Sequence, residues 1–202
     1  EDSEDGIFGV VKAAFFSCAK EQPREFIALS SAYVDVEVAE VQALIAEGFA
    51  AGCVALANEG FEYLLHDSRR LHVGMEFRQG SDGVSYLVDG WSTLVLLRAL
   101  IPHLGSEQLE RLRDHIEAWN PYVNEVKEES DASMRRRIHG WAEGKRLKLL
   151  AMLPAQVLAP RRCRQVQEWR TTQPDLLTHS GPTMASAVQS PMSAQQMASA
   201  SD

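Results

Sequence analysis

Apolar residues recur along this chain at the three- and four-residue steps of an α-helix, and prolines interrupt the pattern at intervals. The clearest stripe, at steps of three, four and three, consists of Leu109, Leu112, Ile116 and Trp119. That spacing places all four side chains on one face of a helix. With Ser106 as N-cap and Asn120-Pro121 as the stop, we predict a helix over 106–119, with Trp119 buried against a neighbouring helix.

The same periodicity predicts helices on both sides of this one. Their predicted ranges are 7–21, 24–32, 36–52, 54–66, 83–101, 133–153 and 160–171. Asp131 is the predicted N-cap of the helix over 133–153, and Pro160 lies in the first turn of the last helix. Only 7% of the residues are aromatic, and leucine and alanine are abundant, which favours helices over a β-sandwich.

Residues 71–88 are the segment where strands compete with helices. Leu71, Val73, Met75 and Phe77 alternate with polar residues, and 80–83 have the composition of a turn. Two interpretations stay open: a short β-hairpin over 71–88, or a loop that leads into the helix predicted from Gly83.

A short internal echo suggests how the helices are organised. Residues 96–102 resemble 149–154, each run ends at a proline, and a further helix follows each. The offset is 52–54 residues, which predicts two helix–turn–helix units; chance similarity of leucine-rich helices is the alternative. The predicted fold is all-α, an α-solenoid-like array of antiparallel helical hairpins over 1–173. Residues 174–202, rich in Ser, Ala, Met and Gln, are predicted to form a linker or an extended strap.

The two ends of the chain carry opposite charge. Residues 1–67 hold thirteen acidic against three basic residues, and residues 132–170 hold ten basic against two acidic residues. Three widely spaced cysteines argue against a disulfide framework, and no apolar run is long enough to cross a membrane. We therefore expect a cytoplasmic protein without a membrane partner. Because the sequence starts without Met, we expect it to be a piece of a longer chain.

Three patterns that could carry chemistry are weak. Glu59, Glu62 and His66 would share one helix face, with Asp67 beside them, and could hold a divalent metal; the alternative is a solvated polar face. Residues 140–145 resemble a phosphate-binding loop, but the spacing is one residue short and Arg146 replaces the required Ser or Thr. No nucleophile motif is present. We predict no catalytic residue, metal or cofactor.

A set of basic residues is the strongest candidate for a binding site, and we call it the basic set. Its members are Arg135, Arg136, Arg137, Lys145, Arg146, Arg161, Arg162 and Arg164. Such a surface can contact an acidic protein or a second copy of the chain, and with Trp141 and Trp169 interleaved it can contact a nucleic-acid backbone. A solvated helix face is the plain alternative.

Several blocks between residues 55 and 202 together resemble one family. They are 64–71, 96–104, 106–112 and 149–154 leading to Leu158, followed by the tail from Ser190. In order and spacing they resemble the helical-repeat region of large bacterial STAND-type NTPases, some of which act in antiphage defence. The resemblance implies a non-catalytic interaction or scaffold segment that contacts other domains of its parent chain. A helical nucleic-acid-binding module using residues 135–170 is the alternative, and a small metal-dependent enzyme is a third hypothesis.

Overall fold

The computed structural model describes residues 7–79 and 85–172, and these residues are predominantly helical. The helices are α1 (Ile7–Glu21), α2 (Pro23–Ser31), α3 (Ala39–Ala51), α4 (Cys53–His66), α5 (Trp91–Leu100), α6 (Ser106–Ala118), α7 (Val123–Glu128), α8 (Ala132–Leu150) and α9 (Pro160–Thr172). Short 3₁₀ turns lie at Ser68–His72, Ile101–His103 and Ala155–Val157. This content confirms the all-α prediction, apart from one small β-hairpin.

The predicted helices 106–119 and 133–153 correspond to α6 and α8. Asp131 caps α8 as predicted, because its Oδ1 accepts a hydrogen bond of 2.7 Å from the Ser133 amide. The predicted Ser106 cap is wrong. Gly105 precedes α6, and its amide donates to Oε1 of Gln108 at 3.0 Å, which satisfies the N-terminal backbone through the N3 side chain. Helix α7 was not predicted.

The segment after the first 3₁₀ turn forms the β-hairpin, one of the two open interpretations. Strands β1 (Met75–Gln79) and β2 (Ser85–Asp89) are antiparallel, with Met75 opposite Asp89. The helix predicted from Gly83 is therefore wrong in its first part, since α5 begins only at Trp91. Gly74 and Gly90 have φ of 82° and 72°, and the amides of Gly90 and Trp91 both donate to the Gly74 carbonyl. These two residues with left-handed backbone lie at the open end of the hairpin, where the chain passes from β2 into α5.

Helices α1 to α6 alternate between two layers. In one layer α1 packs on α3 and α3 packs on α5. The contact between α3 and α5 is the most extensive one between helices among the described residues. In the other layer α2 packs on α4 and α4 packs on α6. An aromatic chain crosses the core from Phe15 through Phe26 and Phe49 to Tyr63, with ring centres 4.9, 5.1 and 5.4 Å apart. The core is thus continuous between the layers.

The predicted internal echo has a structural counterpart. The 3₁₀ turns at Ile101 and Ala155, and the helices α6 and α9 after them, begin 54 residues apart in both cases. Helix α6 packs mainly on α4 and α8, and α9 packs on α8. Arg162 of α9 contacts Glu143 of α8, and Arg170 contacts Ala151, which follows α8. The two copies of the echo therefore share the order of a 3₁₀ turn followed by a helix.

Two predicted features fall outside the described residues. They are the turn at 80–83 and the linker or strap over 174–202. Among the residues that are described, no helix combines the length and apolarity required to traverse a bilayer.

Candidate functional site

The basic set lies on α8 and α9, and the structure divides it into two groups. The exposed group consists of Arg135, Arg136, Arg137, Arg161 and Arg164. In the part of the chain that the structure describes, Arg135, Arg136, Arg161 and Arg164 make no ion pair or hydrogen bond through their guanidinium groups, while Arg137 lies over the ring of Trp141 at 5.7 Å. The other three members, Lys145, Arg146 and Arg162, point into contacts with carboxylates.

Arg162 joins α9 to two other helices. Its Nε donates to Oε1 of Glu117 on α6 at 2.7 Å, and its Nη1 donates to Glu143 on α8. Glu143 also accepts a bond of 3.0 Å from Nε of Arg146. Burial opposes ionisation of Glu143, but the hydrogen bonds from Arg162 and Arg146 outweigh it and lower its pKa. Arg162 therefore joins α9 to α6 and α8, Arg146 is paired within α8, and neither is available as a free contact surface.

Lys145 belongs to a polar cluster with His72, Asp89 and Lys148. Its Nζ lies 2.8 Å from Oδ2 of Asp89 and 2.8 Å from Nε2 of His72. The same His72 nitrogen lies 2.5 Å from Oδ1 of Asp89. One ring nitrogen can either accept from Lys145 or donate to Asp89, so it makes only one of these two hydrogen bonds at a time.

Asp89 and Lys148 have strongly shifted acidities. Burial opposes ionisation of Asp89, but hydrogen bonds from His72 and Lys145 prevail and hold its pKa below the usual range. Lys148 is only 7% exposed, and its Nζ donates to the backbone carbonyl of Asp89 at 2.8 Å. Burial lowers the pKa of Lys148 to about 8, against a weaker favourable effect of the Asp89 charge. The cluster thus contains a buried cation that is easily deprotonated.

The first 3₁₀ turn and the hairpin hold His72 and Asp89 together. Buried Arg70 donates 2.8 Å bonds to the carbonyls of Tyr63 and Val34, which fixes the turn against α4 and the link before α3. The hydroxyl of Thr93 donates to the Arg70 carbonyl at 2.7 Å and accepts from the Val73 amide at 2.9 Å. Because Met75 pairs with Asp89, the end of β2 lies beside His72.

Two cavities meet at His72 and Asp89, which line both. The larger, of about 830 Å³, lies between the α2–α3 link, α3 and the first 3₁₀ turn. Its charged side chains largely satisfy one another: Lys12 and the Ser92 hydroxyl bind Glu47 at 2.8 and 2.7 Å, and Arg69 binds both Glu37 and Asp67. This cavity therefore offers few unoccupied polar groups to a ligand.

The smaller cavity, of about 380 Å³, lies between α8, α9 and the end of the hairpin, and we call it the aromatic cavity. Trp119, Tyr122, Trp141 and Trp169 line it, together with the polar cluster. The predicted burial of Trp119 is confirmed, since this residue is 5% exposed. Its ring centre lies 5.9 Å from that of His72, and the rings of Tyr122 and Trp141 lie 6.4 Å apart.

The residues of the metal hypothesis are engaged separately. Glu62 pairs with Arg111 at 3.4 Å, His66 pairs with Asp35 at 3.4 Å, and Asp67 binds Arg69. Within residues 7–79 and 85–172, no group of three or more His, Cys, Asp or Glu side chains is placed to hold a metal ion. The structure therefore does not bring this set together as a metal site.

Sequence reasoning missed the polar cluster as a unit. Neither His72 nor Asp89 stands out in the sequence, and Lys148 contributes only to the positive charge of residues 132–170. The available signal was the i, i+4, i+7 spacing of Trp141, Lys145 and Lys148, which places them on one face of α8. Comparison with known proteins gives no matching family model, no similar curated protein and no similar solved structure.

Proposed function

We propose that the chain is a non-catalytic, helical-repeat interaction segment of a larger cytoplasmic STAND-type NTPase, the class that its sequence resembles. In this proposal the helices form an α-solenoid-like array, and the parent protein, not this segment, binds ATP. The alternation of α1, α3 and α5 with α2, α4 and α6 supports the array, because solenoid helices pack on their neighbours in just two layers. The three unpaired cysteines are consistent with a reducing compartment.

The observation that carries the interaction role is the exposed arginine group on α8 and α9. Lys145, Arg146 and Arg162 pair with carboxylates, whereas the guanidinium groups of Arg135, Arg136, Arg161 and Arg164 have no ion pair among the described residues. Guanidinium groups bind carboxylates in a bidentate geometry and are enriched at protein interfaces. An acidic surface of a partner protein, or of another domain of the parent, is therefore the proposed contact.

The contact can be tested by photo-cross-linking in the full-length protein. Benzoylphenylalanine replaces Arg136 on α8 or Arg164 on α9, and it replaces exposed Lys20 on α1 as the matched control. We expect cross-links from positions 136 and 164, but not from 20, to an acidic peptide of a partner or of the parent. Because exposed charges are screened, the yield should fall at high salt.

Two outcomes would contradict this role. Cross-links from positions 136 and 164 to nucleic acid would favour the alternative of a nucleic-acid-binding module, for which the half-exposed Trp141 beside Arg137 is suited. Yields no higher than at position 20 would mean that the arginines are merely solvated. An upstream P-loop in the full-length gene would test the NTPase class separately.

A further inference from the structure

The aromatic cavity combines three properties of a small-molecule site: a suitable volume, exposed ring surfaces and a buried cation with spare hydrogen-bonding capacity. We propose that it binds a small planar aromatic anion, with the ring against the tryptophans and the anionic group on the ammonium of Lys148. This inference is independent of the proposed function, which concerns a protein partner on the exposed arginines.

The lining suits a planar ring. Trp119, Trp141 and Trp169, three of the four tryptophans in the chain, line this one cavity with Tyr122. Its volume of about 380 Å³ lies within the range of small-molecule pockets, roughly 300–1,000 Å³. Trp141 is 50% exposed, so the aromatic lining extends from the interior to the surface and gives a ligand a path inward. Stacking and edge-to-face contacts with such rings favour aromatic ligands.

Lys148 supplies the polar contact. Its ammonium has three N–H donors, and among the described residues it makes one hydrogen bond, to the Asp89 carbonyl, and no ion pair. A buried cation in this state is costly unless a further acceptor is near. A carboxylate or similar anion in the cavity would accept hydrogen bonds from the remaining N–H groups of Lys148. The Asp89 side chain does not do this, because its carboxylate pairs with His72 and Lys145 and makes no ion pair with Lys148.

Charge selects an anion over a cation. Aromatic pockets often hold cations, but here a protein cation already lies over one face of the Tyr122 ring and one face of the Trp141 ring. Nζ of Lys145 lies 5.2 Å from the centre of the Tyr122 ring, and Arg137 lies over Trp141. Asp89 is the one carboxylate in the lining, against Lys145 and Lys148. A positively charged ligand would therefore meet repulsion from both lysines.

Two glycines keep the space open. Gly140 and Gly144, one helical turn apart on α8, line the cavity, and a Cβ atom at either position would meet nothing within 4 Å. Glycine inside a helix is less favourable than alanine, so the helix itself gains nothing from these residues. Their effect is to leave room beside Trp141 and Lys148. A larger side chain at Gly144 should fill the cavity while α8 remains intact.

The test uses isothermal titration calorimetry on the full chain with 2-naphthoate, an anion, and 2-naphthamide, its neutral analogue. We expect 2-naphthoate to bind with 1:1 stoichiometry and about tenfold more tightly than the amide, the ratio typical of one charge-assisted hydrogen bond. Lys148→Met should abolish this preference and leave binding of the amide unchanged. Gly144→Leu should abolish binding of both compounds. Lys127→Met, which removes an exposed lysine on α7, is the matched control and should change neither.

The pH dependence separates Lys148 from its neighbours. The other titratable groups that line the cavity with Lys148 are His72 and Asp89 on the hairpin side, Lys145 on α8 and Tyr122 before α7. All four groups remain in Lys148→Met. Binding of 2-naphthoate should therefore weaken between about pH 7 and pH 9.5 in the wild type but not in this variant, because only the protonated amine attracts the anion. If Lys148→Met does not fold, the wild-type pH profile and Gly144→Leu still test the proposal.

Three results would overturn the proposal: no saturable 1:1 binding of 2-naphthoate, equal affinity for the anion and the amide, or unchanged binding in a folded Gly144→Leu variant. Folding of each variant is checked by its circular dichroism spectrum and melting temperature. None of these results bears on the arginine surface, since Arg136 and Arg164 lie outside the lining of this cavity.

Discussion

Single residues decide whether a basic stretch is surface or interior. Arg161, Arg162 and Lys148 would be equivalent in a count of charge, yet Arg161 is exposed, Arg162 binds two carboxylates and Lys148 is buried. The sequence predicted that the basic set would lie on helices, and it does. It could not predict the division, because the partners Glu117 and Asp89 come from distant segments and depend on how α6 and the hairpin pack.

The burial of Lys148 should make stability depend on pH. The pKa of Lys148 is about 8 in the folded protein, below its ordinary value of 10.5. Between these two pH values the unfolded chain therefore binds more protons than the folded protein. Stability should therefore rise between about pH 8 and 10.5, by up to about 3 kcal/mol. Urea unfolding at several pH values, for the wild type and Lys148→Met, isolates this contribution as a difference. Parallel profiles for the two proteins would show that the amine is not desolvated.

At the scale of elements, helices were predictable from local spacing and the hairpin junction was not. The stripe of α6 is encoded within fourteen residues, and its ends were found within one residue. The start of α5 depends on Gly74 and Gly90, which are 16 residues apart, because the Gly74 carbonyl accepts hydrogen bonds from the amides of Gly90 and Trp91. Helical periodicity around 83–90 was therefore misleading, because pairing with β1 outweighed the local preference. The cavity between α8 and α9 depends on helix crossing, which spacing does not encode.

Two glycine-to-alanine substitutions should have opposite effects on stability. Gly74→Ala should destabilise the fold by about 2 kcal/mol or more, because its φ is 82° and a Cβ would lie 2.2 Å from Oγ of Ser92. Gly140→Ala should stabilise it by about 1 kcal/mol, since its Cβ meets nothing and alanine favours the helix. Urea denaturation measures both. A loss of stability in Gly140→Ala would place an unrecognised contact at that position.

At the scale of the whole molecule, two features stand out: the alternation of α1 to α6 between two layers, and the opposite charges of the two ends of the chain. Composition and periodicity were enough to predict an all-α fold. They could not predict which helices pack together, because α3 and α5 are in contact although α4 and the hairpin separate them in the sequence. Contacts of α9 with the rest of the described chain include those of Arg162, Arg170 and the buried Val166. The C-terminal end should therefore behave as a terminal unit whose stability is partly separate from that of the α3–α5 core.

This separation gives a test of the repeat-like architecture by hydrogen exchange. Arg162→Gln removes the ion pairs to Glu117 and Glu143 and leaves two partly buried carboxylates without their main partner. In an array whose units contact only their neighbours, the cost stays local. Amides of α9 should then exchange about tenfold faster or more, while those of α3 and α5 stay within about twofold of the wild type. Arg164→Gln, an exposed change on the same helix, should leave both sets unchanged. Equal acceleration of α9 and of the α3–α5 core in Arg162→Gln would show one cooperative unit, because a globular core transmits the loss to every helix.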